Sequence, residues 1–407
     1  MGLQSAFENS MELCCPDSQG SSTIWEPGFQ DGMSATINPL ANPKGGKKLC
    51  ELCQKPAYLQ CTKCRVTYYC DVAHQQADWN SIHNKACELL ILIRSPAPLH
   101  SWQTDRDHHH MQTQKRLEQL MELSHAESKR RVSEGKYEEA LPAAQLSLRC
   151  AMDVYGPNAV EHVPAYLLLA EANMGLGFLS QAEGYLSKAQ WTTMKTLGCS
   201  QVILHQLHRT LGRLYTATGR YRSALLHFAN DIFHASEEFG LNSVVSAGGY
   251  FLMANVFVKE EKPDIAISLY SQVHQHLVTS IWHMHLSKMV EHYSQRGTQG
   301  EQHFDEAQLA EVDQMLNVML EAQQQGVNTH QSAMLSHSLG QSALLSHSLA
   351  MLWFLCRDHS KALDFGRKAA EFSRQCEEQN SLAESIQSLI QEVEKHITIQ
   401  QIPTIQQ

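Results

Sequence analysis

The chain has 407 residues, and its 32 Lys and Arg against 42 Asp and Glu leave a formal net charge of −10. That balance lacks the clustered cations that a broad grip on nucleic-acid phosphate or anionic lipid requires, so neither nucleic acid nor membrane is an expected partner. With 43% hydrophobic residues the chain can bury a core, yet no apolar run is long enough to cross a membrane and no secretory-type stretch opens it; a cytoplasmic protein is expected.

Residues 1–48 contain Gly20, Pro27, Gly28, Pro39, Pro43, Gly45 and Gly46 without a sustained apolar period, and are expected to be mostly disordered. A compact Cys/His segment follows over 49–88. Of the 12 cysteines, six fall between Cys50 and Cys87, and in a reducing compartment such a cluster points to metal rather than disulfides. Cys150, Cys199, Cys356 and Cys376 read as small buried hydrophobes, and Cys14 and Cys15 as unliganded thiols. Residues 89–124 form a linker and first helix. The apolar run Glu88-Leu-Leu-Ile-Leu-Ile-Arg94 ends at Pro96 and Pro98 and reads as a packing element, and the tract His108-His109-His110 as part of a solvated polar connector.

From 125 to 395 the text is helical and repeats. Alanine recurs at Ala140, Ala182, Ala224 and Ala266 in steps of 42, and twelve residues before each stands a small residue, Ser128, Ala170, Gly212 and Ala254. Such pairs suit two antiparallel helices crossing closely, where bulk at either position would push the backbones apart. Gly135, Gly177 and Gly219 fit the turn within each pair, and Gly156, Gly198 and Gly240 the end of its second helix. A further unit carries Ala350, Trp353 and Ala362. Between it and Ala266 lies a tandem duplication, Gln331–Gly340 and Gln341–Ala350, with room for one degenerate unit around Phe304 and Ala307, where Gln295 breaks the small-residue rule. The repeated His337 and His347 would stand roughly 80° out of phase on a helix, which disfavours a shared metal. Residues 396–407 are left as a tail.

These features resemble the tetratricopeptide repeat, and Tyr155-Gly-Pro-Asn-Ala-Val-Glu-His-Val-Pro-Ala-Tyr-Leu-Leu-Leu-Ala170 is most similar to the longer repeats of kinesin light chains. The resemblance implies an all-α fold, a superhelix of five to six 42-residue helix pairs, that binds partner peptides or helices.

The Cys/His segment reads Cys50-x2-Cys53-x7-Cys61-x2-Cys64-x5-Cys70-x3-His74-x8-His83-x3-Cys87. Thiolate and imidazole suit zinc, and eight donors satisfy two tetrahedral ions with no position left for water, so the zinc is expected to be structural. Spacing alone permits a sequential or an interleaved division of the eight. A segment this short folds on its metal rather than on its core, and finger and repeats are expected to have separate cores.

The pattern resembles the MYND finger, including Tyr68-Tyr69-Cys70 and His74-Gln75-x3-Trp79. The resemblance implies interleaving: Cys50, Cys53, Cys70 and His74 on one zinc, and Cys61, Cys64, His83 and Cys87 on the other. It also implies a proline-rich peptide site at Gln75 and Trp79, with Trp79 as core filler the alternative. Two departures stand out: His74 replaces the usual cysteine, and the run from Trp79 to His83 is one residue longer than usual, which shifts the last helix and weakens the expectation of a peptide groove.

No methyltransferase-type cofactor segment, phosphate loop or nucleophile elbow accompanies the finger, so no enzyme is expected. The order of finger, short linker and 42-residue repeats resembles MYND-and-tetratricopeptide proteins of the axoneme. That resemblance implies an adaptor of cilium or sperm flagellum, bound to other tetratricopeptide proteins and inner dynein arm components. The competing reading is a nuclear co-regulator recruiting proline-rich partners through the finger; a methyltransferase-like enzyme is a distant third.

Overall fold

The structure, a computed structural model, describes residues 34–37, 48–95, 102–293, 306–327, 332–375 and 380–401. The chain divides into two compact units, residues 1–199 and 200–407.

The first unit opens with three short strands, β1 (Ser34–Thr36), β2 (Leu59–Cys61) and β3 (Tyr68–Tyr69), in antiparallel order. β1 lies along β2 with Ser34 opposite Cys61. Within the stretch expected to be mostly disordered, this pairing supplies backbone partners for three residues with no apolar period of their own. Then come helix α1 (Val72–Asp78), a π-helical turn (Trp79–His83) and α2 (Asn84–Arg94). Asp71 caps α1, its Oδ1 accepting from the His74 N–H at 2.7 Å.

Two helix pairs complete this unit: α3 (Gln103–Ser133) with α4 (Tyr137–Tyr155), and α5 (Val163–Gly175) with α6 (Leu179–Lys195). His108–His110 lie within α3 rather than in a connector. The second unit holds α7 (Gln201–Ala217) with α8 (Tyr221–Phe239), α9 (Val244–Lys259) with α10 (Pro263–Tyr293), α11 (Glu306–Val327), α12 (Ser332–Leu355) with α13 (His359–Arg374), and α14 (Asn380–Gln401).

Five pairs share one register. In each, the first helix ends seven residues before the key alanine and the second begins three before it. Those alanines, Ala140, Ala182, Ala224, Ala266 and Ala362, are buried, as are their small partners Ser128, Ala170, Gly212, Ala254 and Ala350. Each turn is the same hydrogen-bonded motif. In the first, Gly135 N–H donates to the Val132 carbonyl at 3.0 Å and Lys136 N–H to the Arg131 carbonyl at 2.9 Å; in the fourth, Glu261 donates to Val258 and Lys262 to Phe257. The turn residue is left-handed in all five, with φ of 74°, 80° and 73° at the glycines but 58° at Glu261 and 63° at Arg357. Glycine adopts that conformation freely, whereas Glu and Arg do so at a cost of about 1–2 kcal/mol; this is why the glycine column is visible in only three pairs.

The tandem duplication lies in one continuous helix, α12, whose 24 residues exceed the 16 of α9. Of the expected degenerate unit, Gln295 and Phe304 fall outside the described residues, while Ala307 lies in the first turn of α11. Cys150 is buried as expected, but Cys199 and Cys356 are half-buried near helix ends; Cys376 lies outside the described residues.

The finger has a small cluster of its own around Tyr69 and the cysteines, but its core is not separate from that of the array, with which it shares a second. Ile82, Ala86 and Leu90 form an i, i+4, i+8 stripe that packs in one buried cluster with Leu120 of α3 and Ala143, Leu146 and Cys150 of α4. Polar contacts tie the same joint. Arg94 grips the Glu51 carboxylate at 2.8 and 2.9 Å, and Arg149 of α4 donates to Glu51 Oε1 at 2.7 Å and to its carbonyl at 2.6 Å. Burial works against charge on Glu51, but Arg149 and then Arg94 overcome it and hold the carboxyl at about 2.

Candidate metal centre

Both Cys-x2-Cys knuckles close in the same way. Gln54 N–H donates to the Cys50 carbonyl at 3.1 Å and Arg65 N–H to the Cys61 carbonyl at 3.0 Å. Both closing residues are left-handed, with φ of 57° and 58°. The turn aims the two sulfurs of each knuckle the same way. The remaining four donors come from the end of β3, from α1, and from the π turn with the start of α2.

The eight donors gather as two interleaved sets: Cys50, Cys53, Cys70 and His74 form one, and Cys61, Cys64, His83 and Cys87 the other, all donor atoms of a set lying within 4.8 Å of one another. The sequential division that spacing alone permitted is not the one the fold adopts. In the first set Cys53 Sγ lies 3.6 Å from Cys70 Sγ, and His74 Nδ1 lies 3.5 Å from Cys50 Sγ and 2.9 Å from Cys70 Sγ. In the second, His83 Nε2 is 3.6 Å from Cys64 Sγ. With zinc–sulfur bonds of about 2.3 Å, a tetrahedron has sulfur–sulfur edges of about 3.8 Å, so each set fits one structural zinc ion.

The two imidazoles face their sets through different nitrogens, His74 through Nδ1 and His83 through Nε2. The distal nitrogen of His83 explains the difference. His83 Nδ1 is buried 3.5 Å from Asp78 Oδ2, and it has no closer hydrogen-bond partner among the described residues. Asp78 is itself buried and accepts from the Tyr69 hydroxyl at 2.7 Å. An imidazole giving Nε2 to zinc keeps its proton on Nδ1, facing that carboxylate, in the carboxylate–histidine–metal arrangement that fixes ring orientation. Burial, reinforced by the Asp78 charge, pushes the Tyr69 hydroxyl up, so it stays a donor. Sequence reasoning had Tyr69 only as part of the finger motif and did not single out Asp78; the available signal was an acid five residues before a ligand histidine.

Burial and mutual hydrogen bonding set the protonation of the thiols. Burial pushes the Cys53, Cys70 and Cys87 thiols up, whereas hydrogen bonding from Cys61, against burial and helped by His83 and Thr67, pulls Cys64 down to about 3. Without an ion each set holds protons that zinc would displace.

The extra residue between Trp79 and His83 is accommodated by the π turn, which carries one residue more per turn than an α-helix. His83 and Cys87 therefore keep their i, i+4 relation while the insertion is confined to Trp79–His83. Of the two proposed peptide contacts, Gln75 is turned inward, at 6% exposure. Trp79 is half-buried, its ring 5.7 Å from that of His83 and overlain by Lys63 Nζ at 4.7 Å.

Residues 50–87 match the family model of the MYND finger. A stretch of 78 residues is 35% identical to programmed cell death protein 2 of Rattus norvegicus, covering 19% of this chain and 23% of that protein. The mouse counterpart is 34% identical over 59 residues, and the chain spans about a fifth of the length of these relatives. Among solved structures, a putative kinesin light chain from Podosopora anserina with nearly identical TPR-like repeats is similar at 16% identity and a TM-score of 0.36. That likeness covers 57% of this chain and 95% of the other. BtubC (BKLC) from P. vanneervenii is similar at 15% identity and a TM-score of 0.29, over 63% of this chain and 91% of that one.

Proposed function

We propose that this protein is a non-enzymatic adaptor of the ciliary or sperm-flagellar axoneme, holding other tetratricopeptide proteins and inner dynein arm components through its helix pairs. The observation that carries the adaptor reading is the pairing of a closed finger with five helix pairs in one register. All eight soft donors are used in complete four-donor sets, which suits zinc that holds structure rather than zinc that activates water. The pairs also offer contact residues: Trp191, Met194 and Leu197 at the end of α6 are 63%, 81% and 99% exposed, and large exposed apolar groups in proximity mark interaction surfaces.

The axonemal part is supported by the resemblance of the finger-and-repeat order to axonemal proteins. Its test is to express the tagged full chain in ciliated cells, image it and identify neighbours by proximity labelling. An axonemal signal with dynein-arm and tetratricopeptide neighbours is expected; a purely nuclear signal would overturn it. The co-regulator reading requires the Gln75 amide to turn outward from its buried position to meet a peptide.

A further inference from the structure

The joint between finger and array is matched residue by residue. Three positions of the 42-residue unit face one another across each helix pair. In the second pair they are Tyr166, Tyr185 and Thr192; in the third, His208, His227 and His234; in the fourth, Tyr250, Leu269 and His276. These side chains stack on themselves. Tyr166 meets Tyr185 at 6.4 Å, His208 meets His227 and His234 at 5.1 and 5.5 Å, and Tyr250 meets His276 at 5.7 Å between ring centroids.

In the first pair the same positions are Ser124, Ala143 and Cys150, all small and all buried. The space that rings fill elsewhere is here taken up by the finger, whose Ile82 and Leu90 belong to one buried cluster with Ala143 and Cys150. The backbone is adapted as well. Pro142 sits inside α4, and the Ser81 hydroxyl accepts from Ala143 N–H at 3.2 Å while donating to the Glu139 carbonyl at 2.5 Å. That amide and carbonyl are i, i+4 partners in an α-helix; here a side chain of the π turn bonds to both of them.

We propose that the finger is the metal-dependent first unit of the repeat array, so that loss of zinc unfastens α3 and α4 together with the finger. The inference rests on the zinc reading of the two four-donor sets. On the π turn and α2 the ligands His83 and Cys87 directly follow Ile82 and Ala86 of the shared cluster, and Cys50 and Cys53 bracket Glu51, the residue that Arg149 holds. Each donor set therefore orders a segment that touches α4. A segment of this size cannot keep that arrangement from its own apolar area once the ions are gone. The finger would then leave Ala143, Leu146 and Cys150 facing water, with no rings to close over them.

The test uses the full-length chain, with zinc stoichiometry measured by native mass spectrometry before and after a high-affinity zinc chelator, and amide hydrogen exchange followed in both states. Removing zinc is expected to cost α4 at least about tenfold in protection while α8 changes less than about twofold, since local opening follows cooperative units. Unchanged protection in α4 with both ions gone would overturn the coupling; a starting chain with fewer than two ions would overturn the zinc reading beneath it. The reciprocal measurement uses Arg149→Gln, which leaves every metal ligand in place and weakens the array's hold on Glu51. Coupling is mutual, so zinc affinity measured by equilibrium chelator competition should be about tenfold weaker than in the native chain. An unaltered affinity in this variant would also overturn the proposal.

Discussion

Replacing Ser81 with alanine removes one hydroxyl, and the structure fixes what that hydroxyl is worth. Pro142 has no N–H to give, so α4 has already lost one bond of its ladder at this point. The next amide, that of the fully buried Ala143, is satisfied by Ser81 Oγ. Ser81→Ala removes the hydroxyl bonded to that buried N–H and to the Glu139 carbonyl, with no water to replace it, a penalty of about 1–3 kcal/mol. For a unit of 150–250 residues each kcal/mol moves the midpoint by roughly 2–4 °C, so the transition of the first unit should fall by roughly 2–12 °C. The cause is separated from general damage by repeating the change in a Pro142→Ala background. There α4 can close Ala143 N–H directly onto the Glu139 carbonyl, and the loss from Ser81→Ala should shrink by at least about 1 kcal/mol. The assay is a calorimetric double-mutant cycle on the zinc-loaded full chain. A midpoint change under about 1 °C in the native background, or an equal change in both backgrounds, would refute the reasoning.

Three other outcomes are expected. Asp78→Asn should weaken zinc at the set containing His83 by about tenfold while sparing the set containing His74, because only the former imidazole leans on that carboxylate; chelator competition resolving the two ions checks this, and equal weakening of both would contradict it. Gly212→Ala places a Cβ 2.4 Å from Phe228 Cε1, an overpacking cost of about 1–3 kcal/mol that outweighs the gain of about 1 kcal/mol in helix propensity. In a Phe228→Leu background, which copies the Ala170 and Leu186 combination of the second pair, the same change should stabilise; stabilisation in both backgrounds would sink the packing argument. Zinc affinity should rise with pH, because the Cys53, Cys70 and Cys87 thiols are pushed up and must lose their protons to bind the ion. Titration in two buffers of different ionisation heat measures the protons released, and a pH-independent affinity would exclude the assignment.

Much of the array was legible because its constraints are local and repeated. A small residue and an alanine twelve apart report a helix crossing within one pair, and that spacing recurs wherever the turn recurs. What sequence missed were positions where the backbone overrides preference. Glu261 and Arg357 take the left-handed turn conformation without being glycine, since the hydrogen bonds of the turn and the packing of the pair outweigh a cost of about 1–2 kcal/mol. The donor sets were legible for the same reason as the helix crossings, since ligand chemistry tolerates few residue types. The interleaved division was not legible from spacing, because it depends on β3 and α1 folding back between the knuckles.

The joint between finger and array shows why a different kind of signal has to be sought. Glu51 and Arg149 are 98 positions apart and Ser81 and Glu139 58 apart, so no local period links them, and each residue alone has an ordinary surface explanation. The trace they leave is a departure from the repeat: Ser124, Ala143 and Cys150 are small where the next pairs carry Tyr or His at most of the same positions. A helix pair with a full set of rings closes its own groove, whereas one with small residues leaves space that must be filled at interior density or be lost in stability. Since Ala143 and Cys150 are buried in the folded chain, something outside the pair fills that space, and the finger does so with an apolar stripe that would otherwise face solvent. The small residues of the first pair and the stripe of α2 are thus two halves of one packing requirement, and neither is explained by its own module alone.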